Sequence, residues 1–172
     1  MNKAIHILQE GNNLKRDLAR EVLSKILSGQ SADKEIEDFL TAFEAKPYHW
    51  EDLLGFIQAM KDNCINIKSS IKKPIMDVCG TGGSGKDRFN ISTATVFVLA
   101  AAGVYVAKHG NYGSKRPNGS FNFLEEMNIP FQFEVNEIGM LLRQSKCCFL
   151  FARYFHPGMR HVVAARKKIG RQ

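Results

Sequence analysis

The 172-residue sequence contains no apolar run approaching the roughly 20 residues that a bilayer-spanning helix needs. Its opening, Met1-Asn2-Lys3-Ala4, turns polar too soon for a secretory signal, so a cytoplasmic protein is expected. Internal repeats and low-complexity tracts are absent. Cysteine is scarce, and Cys64, Cys79, Cys147 and Cys148 match no zinc spacing. Cys147 and Cys148 open an apolar run and read as buried thiols; nothing in the pattern demands disulfides. No nucleophile–base–acid set and no carboxylate pair stands out. Acidic residues are outnumbered, 17 against 24 basic ones, for a net charge of +7. An anionic partner follows, but nucleic acid, membrane surface and phosphorylated metabolite all stay open on charge alone.

What is present is globular: 44% hydrophobic residues beside 24% charged ones support a real core and argue against disorder. Residues 1–70 read as helices only. Ile5, Ile7, Leu8 and Leu14 suggest a short first helix broken at Gly11-Asn12-Asn13. Leu18, Val22, Leu23, Ile26 and Leu27 recur at three and four, giving a second helix closed by Gly29. A third begins near Ser31 with Ile36, Phe39, Leu40 and Phe43 as its stripe, and ends before Pro47. A fourth starts at Trp50, with Leu53, Leu54, Phe56, Ile57 and Met60 expected inside a small bundle.

A lysine-bearing linker, 65–74, leads into a different texture. Residues 75–79 read as a short buried strand, 92–102 as a helix, 104–107 as a strand, and 119–128 as a helix. A further helical pattern covers 134–145, and 147–152 reads as another buried strand. Pro157 then suits the first turn of a basic helix running to about Ile169. Strands joined by helical crossovers predict a parallel sheet.

The chain is organised around 77–111, where a strand runs into a glycine loop, a helix, a second strand and a second glycine-bearing loop. Backbone N–H groups at such a helix start favour an anion, which makes this the expected phosphate cradle. Three glycine readings compete. Gly80, Gly82 and Gly85 satisfy the dinucleotide pattern, but the second strand carries Lys108 where a ribose-binding acid belongs. Gly80, Gly85 and Lys86 satisfy most of a nucleoside-triphosphate loop, but Asp87 stands where a magnesium-binding Ser or Thr is needed. The glycines also suit a tight turn with no ligand.

More of the chain fits a family resemblance. Gly80-Thr81-Gly82-Gly83, Asn90-Ile91-Ser92-Thr93 and Val106-Ala107-Lys108-His109-Gly110-Asn111 resemble the anthranilate phosphoribosyltransferase family. So do Gly119-Ser120 with Leu124-Glu125, Phe149-Leu150-Phe151-Ala152, and Phe155-His156-Pro157 followed by Arg166. The resemblance covers nearly all of the chain, helical front included. It implies an α/β fold of the nucleoside phosphorylase/phosphoribosyltransferase kind: a small N-terminal helical bundle (1–70) and the front half of a parallel α/β domain (71–172). Helix 134–145 would pack back on the bundle, as in the family. The implied activity is transfer of phosphoribose from phosphoribosyl pyrophosphate to anthranilate, in tryptophan biosynthesis, with Mg2+ as cofactor and a homodimer as the assembly.

By the same resemblance, Gly80, Thr81, Gly82 and Gly83 would hold phosphoribosyl pyrophosphate, with Gly80 also bordering anthranilate. Asn90, Ile91, Ser92 and Thr93 would bind its phosphates, Ser92 also meeting the magnesium. Lys108 would neutralise pyrophosphate beside His109, and Ser120 would add a hydroxyl. Asn111 and Arg166 would contact anthranilate, Arg166 through its carboxylate. No residue is assigned as catalytic. Read without a ligand, Ser92 is a good helix N-cap, Thr93 a solvent-facing first-turn residue, and His109 a shaper of the loop. Arg153 and Arg160 read as surface charge.

The sequence departs from the family at Ser84, Arg88, Lys115–Arg116 and Asn122, where the family tends to place Asp, a hydroxyl residue, a Ser/Thr pair and Asp. A more cationic cradle would still suit pyrophosphate, with Ser84, Arg88, Lys115 and Arg116 counted among its contacts. The alternative is a diverged, non-catalytic relative that binds nucleic acid or another polyanion, using also the basic residues of 160–168. The family's magnesium-binding Asp-Glu pair has no counterpart within the 172 residues, so an incomplete or truncated form with doubtful turnover is expected.

Overall fold

The computed structural model describes residues 1–67, 71–80, 89–113 and 116–170. The chain divides into two compact units, Met1–Ile65 with His156–Gln172, and Asn66–Phe155. The last segment, expected to close the α/β domain of 71–172, therefore groups with the helices of the front. Among the described residues no helix is long and apolar enough to cross a membrane.

In the helical unit, α1 (Asn2–Gln9), α2 (Arg16–Leu27), α3 (Asp33–Glu44) and α4 (Trp50–Asp62) fall where the periodicity places them. Gly29, at φ +74°, follows α2, a backbone region open to glycine at little cost. Glu35 reaches back so that its Oε2 accepts from Ala32 N at 3.0 Å, satisfying an orphan donor at the start of α3. Pro157 opens a 3₁₀ segment (Pro157–Val162), and α9 (Val163–Lys168) completes the unit; the expected single basic helix is thus two shorter pieces. Leu8, Leu14, Val22, Ile26, Ile36, Phe39 and Val162 form its core. Burying each such side chain contributes about 1.5–3 kcal/mol.

Helix α4 departs from its expected orientation. Leu53, Leu54 and Ile57 are exposed by 42%, 41% and 51%, and Trp50 by 61%, while Asp52, Gly55 and Ala59 are buried. The reason is close backbone approach. A Cβ on Gly55 would overlap Arg16 O and lie 2.6 Å from Ala19 Cβ. Small residues, and not large apolar ones, mark the face of α4 that meets α2.

In the other unit, β1 (Ile75–Met76), β2 (Tyr105–Gly110) and β3 (Cys147–Phe151) form a parallel sheet in the order β1-β2-β3. Met76 pairs with Val106, and Val106 through Gly110 pair with Cys147 through Phe151. Strand β1 is shorter than expected and exposed, not buried. Helix α5 (Ile91–Ala101) makes the crossover from β1 to β2; α6 (Ser120–Glu126) and α7 (Ile138–Ser145) lie between β2 and β3, and α8 (Ala152–Phe155) follows β3. Helix α7 starts later than 134 because Glu137 Oε2 accepts from Glu134 N at 2.9 Å, closing a turn first. It packs with β2 and β3 inside this unit. The core gathers Val96, Val106, Phe121, Leu124 and Phe149, extended by Phe131 and Phe151 at 4.8 Å centroid distances from Phe121.

Candidate anion-binding site

Parallel topology sends the loops after β1 and β2 to the same end of the sheet, where ligands of open α/β sheets commonly bind. Strand β2 carries Lys108 there, 4% exposed although charged. Alternation along the strand explains its burial: Val106, Lys108 and Gly110 share one face. Lys108 Nζ donates to His109 O at 3.2 Å. Burial pushes its pKa down from the ordinary 10.5, while the nearby Cys79 and Asp77 push it back up. Burial likewise lowers the His109 pKa, against the upward pull of Asp77.

Gly110 decides the geometry. A Cβ there would overlap Ser120 Oγ and lie 3.2 Å from Lys108 Nζ. The ammonium and the hydroxyl thus approach a single point beside a bare Cα. Ser120, the first residue of α6, is 8% exposed, and its Oγ is placed 3.5 Å from Asn111 O as a donor. The turn between Asn111 and Ser120 is clasped by Asn122, whose Oδ1 accepts from Gly113 N at 2.9 Å and from Gly119 N at 3.1 Å. A carboxylate is unnecessary for that role, which accounts for the tolerance of Asn at 122.

The start of α5 faces the same neighbourhood. Asn90 occupies the N-cap, and its side chain does not cap the helix. Instead its Nδ2 donates to Gly119 O at 3.4 Å, tying α5 to the start of α6. Ser92 is consequently inside the first turn and not the cap itself. It is half-buried, and its Oγ lies 4.0 Å from where a Cβ of Gly80 would project. The positive end of the helix dipole makes this turn receptive to an anion.

Thr93 is only 2% exposed, so its expected alternative as a solvent-facing residue does not hold. Ile91 is 66% exposed at the helix start, Asn111 and Arg116 are exposed, and His109 is half-buried in β2. Gly80 is exposed at the end of the β1 segment. Arg166 is half-buried on α9, in the helical unit. Arg153 is exposed yet lies over the Tyr112 and Phe151 rings at 5.6 and 5.9 Å, which is more than solvated charge. Thr81, Gly82, Gly83, Ser84, Arg88 and Lys115 lie outside the described residues. Sequence reasoning passed over Gly110 and Asp77 as site residues; their signal was position, at the ends of paired strands, and not side-chain type.

Among the described residues no group of His, Cys, Asp and Glu side chains could by itself hold a metal ion. A single hydroxyl such as Ser92 Oγ suits only a magnesium ion already chelated by a polyphosphate, which takes few ligands from protein.

Residues 2–64 match the family model described as glycosyl transferase family, helical bundle domain, and residues 72–172 that described as glycosyl transferase family, a/b domain. An anthranilate phosphoribosyltransferase of Nitrosopumilus maritimus is 39% identical over 165 residues, 96% of this chain and 47% of that protein. One from Flavobacterium johnsoniae is 43% identical over 156 residues, 91% of this chain and 47% of its own length. The solved anthranilate phosphoribosyltransferase of Thermus thermophilus superposes with a TM-score of 0.88 at 31% identity, covering 98% of this chain and 51% of that one. The Saccharomyces cerevisiae protein, solved in complex with PRPP and Mg, shares the fold at a TM-score of 0.85 and 24% identity, over 99% of this chain and 51% of that one. The chain therefore spans about half the length of the relatives it matches.

Proposed function

Because the chain belongs to the glycosyl transferase family built from a helical bundle domain and an a/b domain, the anthranilate phosphoribosyltransferases among its kin, we propose that it binds phosphoribosyl pyrophosphate. We further propose that, in a protein of its relatives' full length, this site transfers the phosphoribosyl group to anthranilate. The observation that carries the reading is the convergence of Lys108 Nζ and Ser120 Oγ on the bare Cα of Gly110. A buried ammonium with a hydroxyl close beside it, brought together by the missing side chain of Gly110, supplies paired donors that suit a phosphate oxygen.

In the proposed reaction the amine nitrogen of anthranilate forms a bond to the anomeric carbon. The bond from that carbon to the pyrophosphate oxygen breaks, and pyrophosphate leaves with the electron pair. The amine releases its proton to solvent. Positive charge builds on the sugar and negative charge on the leaving group, so stabilisation is electrostatic and needs no strong base. Lys108 neutralises the departing pyrophosphate, and the first turn of α5, with Asn90, Ile91, Ser92 and Thr93, receives phosphate oxygens. Magnesium, where bound, would screen the diphosphate, with Ser92 the residue of this chain to meet it. Gly80, Asn111 and Arg166 would meet anthranilate, Arg166 through the carboxylate. Arg88, Lys115 and Arg116 belong to the same reading as added cations, with Thr81, Gly82, Gly83 and Ser84 as loop contacts, His109 and Ser120 beside them. A cytoplasmic homodimer serving tryptophan biosynthesis completes it.

Calorimetric titration of the full chain with phosphoribosyl pyrophosphate and Mg2+ tests the proposal, with single-stranded DNA at two salt concentrations as the contrast. Saturable sugar-phosphate binding, weakened about tenfold or more by Lys108→Ala, is expected from loss of a charge-assisted contact. Binding of DNA alone, with a steep salt dependence, would overturn it in favour of a general polyanion binder.

A further inference from the structure

The ladder between β1 and β2 ends at the pair Met76 and Val106. The next residue continues it with a side chain. Asp77 Oδ1 accepts from His109 N at 3.3 Å and from Cys79 N at 2.9 Å. One carboxylate oxygen is therefore bonded to the strand that carries Lys108 and to the backbone that enters the glycine loop. Gly80 follows Cys79 directly and approaches Ser92 at the start of α5. Core packing does not demand an aspartate here, because Asp77 is exposed. A short apolar strand would end just as well without it.

We propose that Asp77 is a positioning residue of the candidate phosphoribosyl-pyrophosphate site, clasping the entrance of the glycine loop to the Lys108–His109 segment through one carboxylate oxygen. The proposal rests on the reading of the site given above. Without the clasp, the pairing of β1 with β2 among the described residues is Ile75 with Tyr105 and Met76 with Val106. The loop entrance would then sample more positions relative to Lys108, and ordering it would oppose anion binding. Asp77 also sets a negative charge near the Lys108 ammonium, which favours the charged form that an anion needs.

The test compares Asp77→Asn, which keeps an acceptor oxygen in place, with Asp77→Ala, which removes it, both in the full chain. The ligand-free readout is amide hydrogen exchange at His109 and Cys79, which reports local opening. Asp77→Ala is expected to speed exchange at both amides by about tenfold, the worth of one charge-assisted hydrogen bond, while Asp77→Asn stays within about threefold of the parent. Phosphoribosyl-pyrophosphate affinity should follow the same order, with Asn rescuing most of what Ala loses. Unchanged exchange in Asp77→Ala, or equal acceleration in both variants, would overturn the clasp. The exchange result stands even where the parent chain fails to bind phosphoribosyl pyrophosphate, so failure of the clasp and failure of the functional reading are told apart.

Discussion

Lys46 Nζ lies 2.7 Å from Asp52 Oδ2, and both side chains are almost wholly buried, at 5% and 0% exposure. The same ammonium donates to Asn13 Oδ1 at 2.8 Å and to Pro47 O at 3.1 Å, while Asp52 Oδ1 accepts from Leu14 N at 2.6 Å. The pair thus joins the loop before α2 to the turn between α3 and α4, and every strong partner is supplied within the protein.

Removing one member strands the other in a low-dielectric setting. Asp52→Ala is expected to destabilise the helical unit by about 3–5 kcal/mol, and Lys46→Met by a similar amount. The double change Lys46→Met with Asp52→Leu should lose markedly less than the sum, because neither charge is then left unpaired. Urea denaturation followed by the far-ultraviolet helix signal reads all three.

Gly110→Ala introduces the Cβ that would overlap Ser120 Oγ. Ser120 is buried at the start of α6, so relief must come from rotation of its hydroxyl or displacement of the helix start, either of which takes the hydroxyl from its place beside Lys108. Sugar-phosphate affinity should fall by about tenfold or more, within the usual 1–3 kcal/mol for overpacking. Gly103→Ala, where nothing lies within 4 Å of the new Cβ, is the control for mutation near the strand; its φ of +85° limits that control to binding and not stability. Equal affinities for the Gly110 variant and its parent would remove Gly110 from the site.

The depressed pKa of Lys108, due first to burial, sets the pH dependence of anion binding. A lysine with a folded pKa below 10.5 binds fewer protons folded than unfolded. Its stability cost is therefore present while it is charged and relieved as pH rises through the folded value. Anion binding runs the other way, being strongest while the ammonium is charged. Affinity should decline on the alkaline side below pH 10.5, and Lys108→Ala should be weaker throughout and lose that limb. Among the described residues, Cys79, Asp77 and His109 are the titratable neighbours; Cys79→Ser separates a thiol contribution from that of Lys108.

The cysteines should react in the order of their environments. Cys79 is exposed beside Gly80, Cys64 and Cys147 are half-buried, and Cys148 is buried with its thiol pushed up to about 12 by burial. A disulfide reagent at neutral pH should label Cys79 first and leave Cys148 untouched until denaturant is added. Preincubation with phosphoribosyl pyrophosphate should slow the Cys79 phase alone.

Much of the framework was legible in order of residues. Helices α1 to α3 appear because apolar residues recur at three and four, and the parallel sheet follows from strands separated by helical crossovers. The Asn90–Thr93, Lys108–Asn111 and Gly119–Ser120 segments stood out through the family resemblance, the first two also lying within the 77–111 stretch whose strand, glycine loop and helix start read as a phosphate cradle. The orientation of α4 was not legible, since periodicity counts large apolar residues and Gly55 and Ala59 mark a close backbone approach instead. The clasps of Asp77 on His109 N and of Asn122 on Gly113 N escaped for a related reason: a backbone donor has no residue type, so its partner leaves no pattern.

Local periodicity and motif spacing, then, determined which segments are helix or strand and which carry cations and hydroxyls, because both are properties of neighbours along the chain. Only tertiary structure decided that Lys108 is buried, that Gly110 must lack a side chain, that Asp52 is paired within the core, and that the last segment joins the helical unit. Those outcomes depend on atoms brought together from distant positions, where close packing and the cost of an unpaired buried group select the partner.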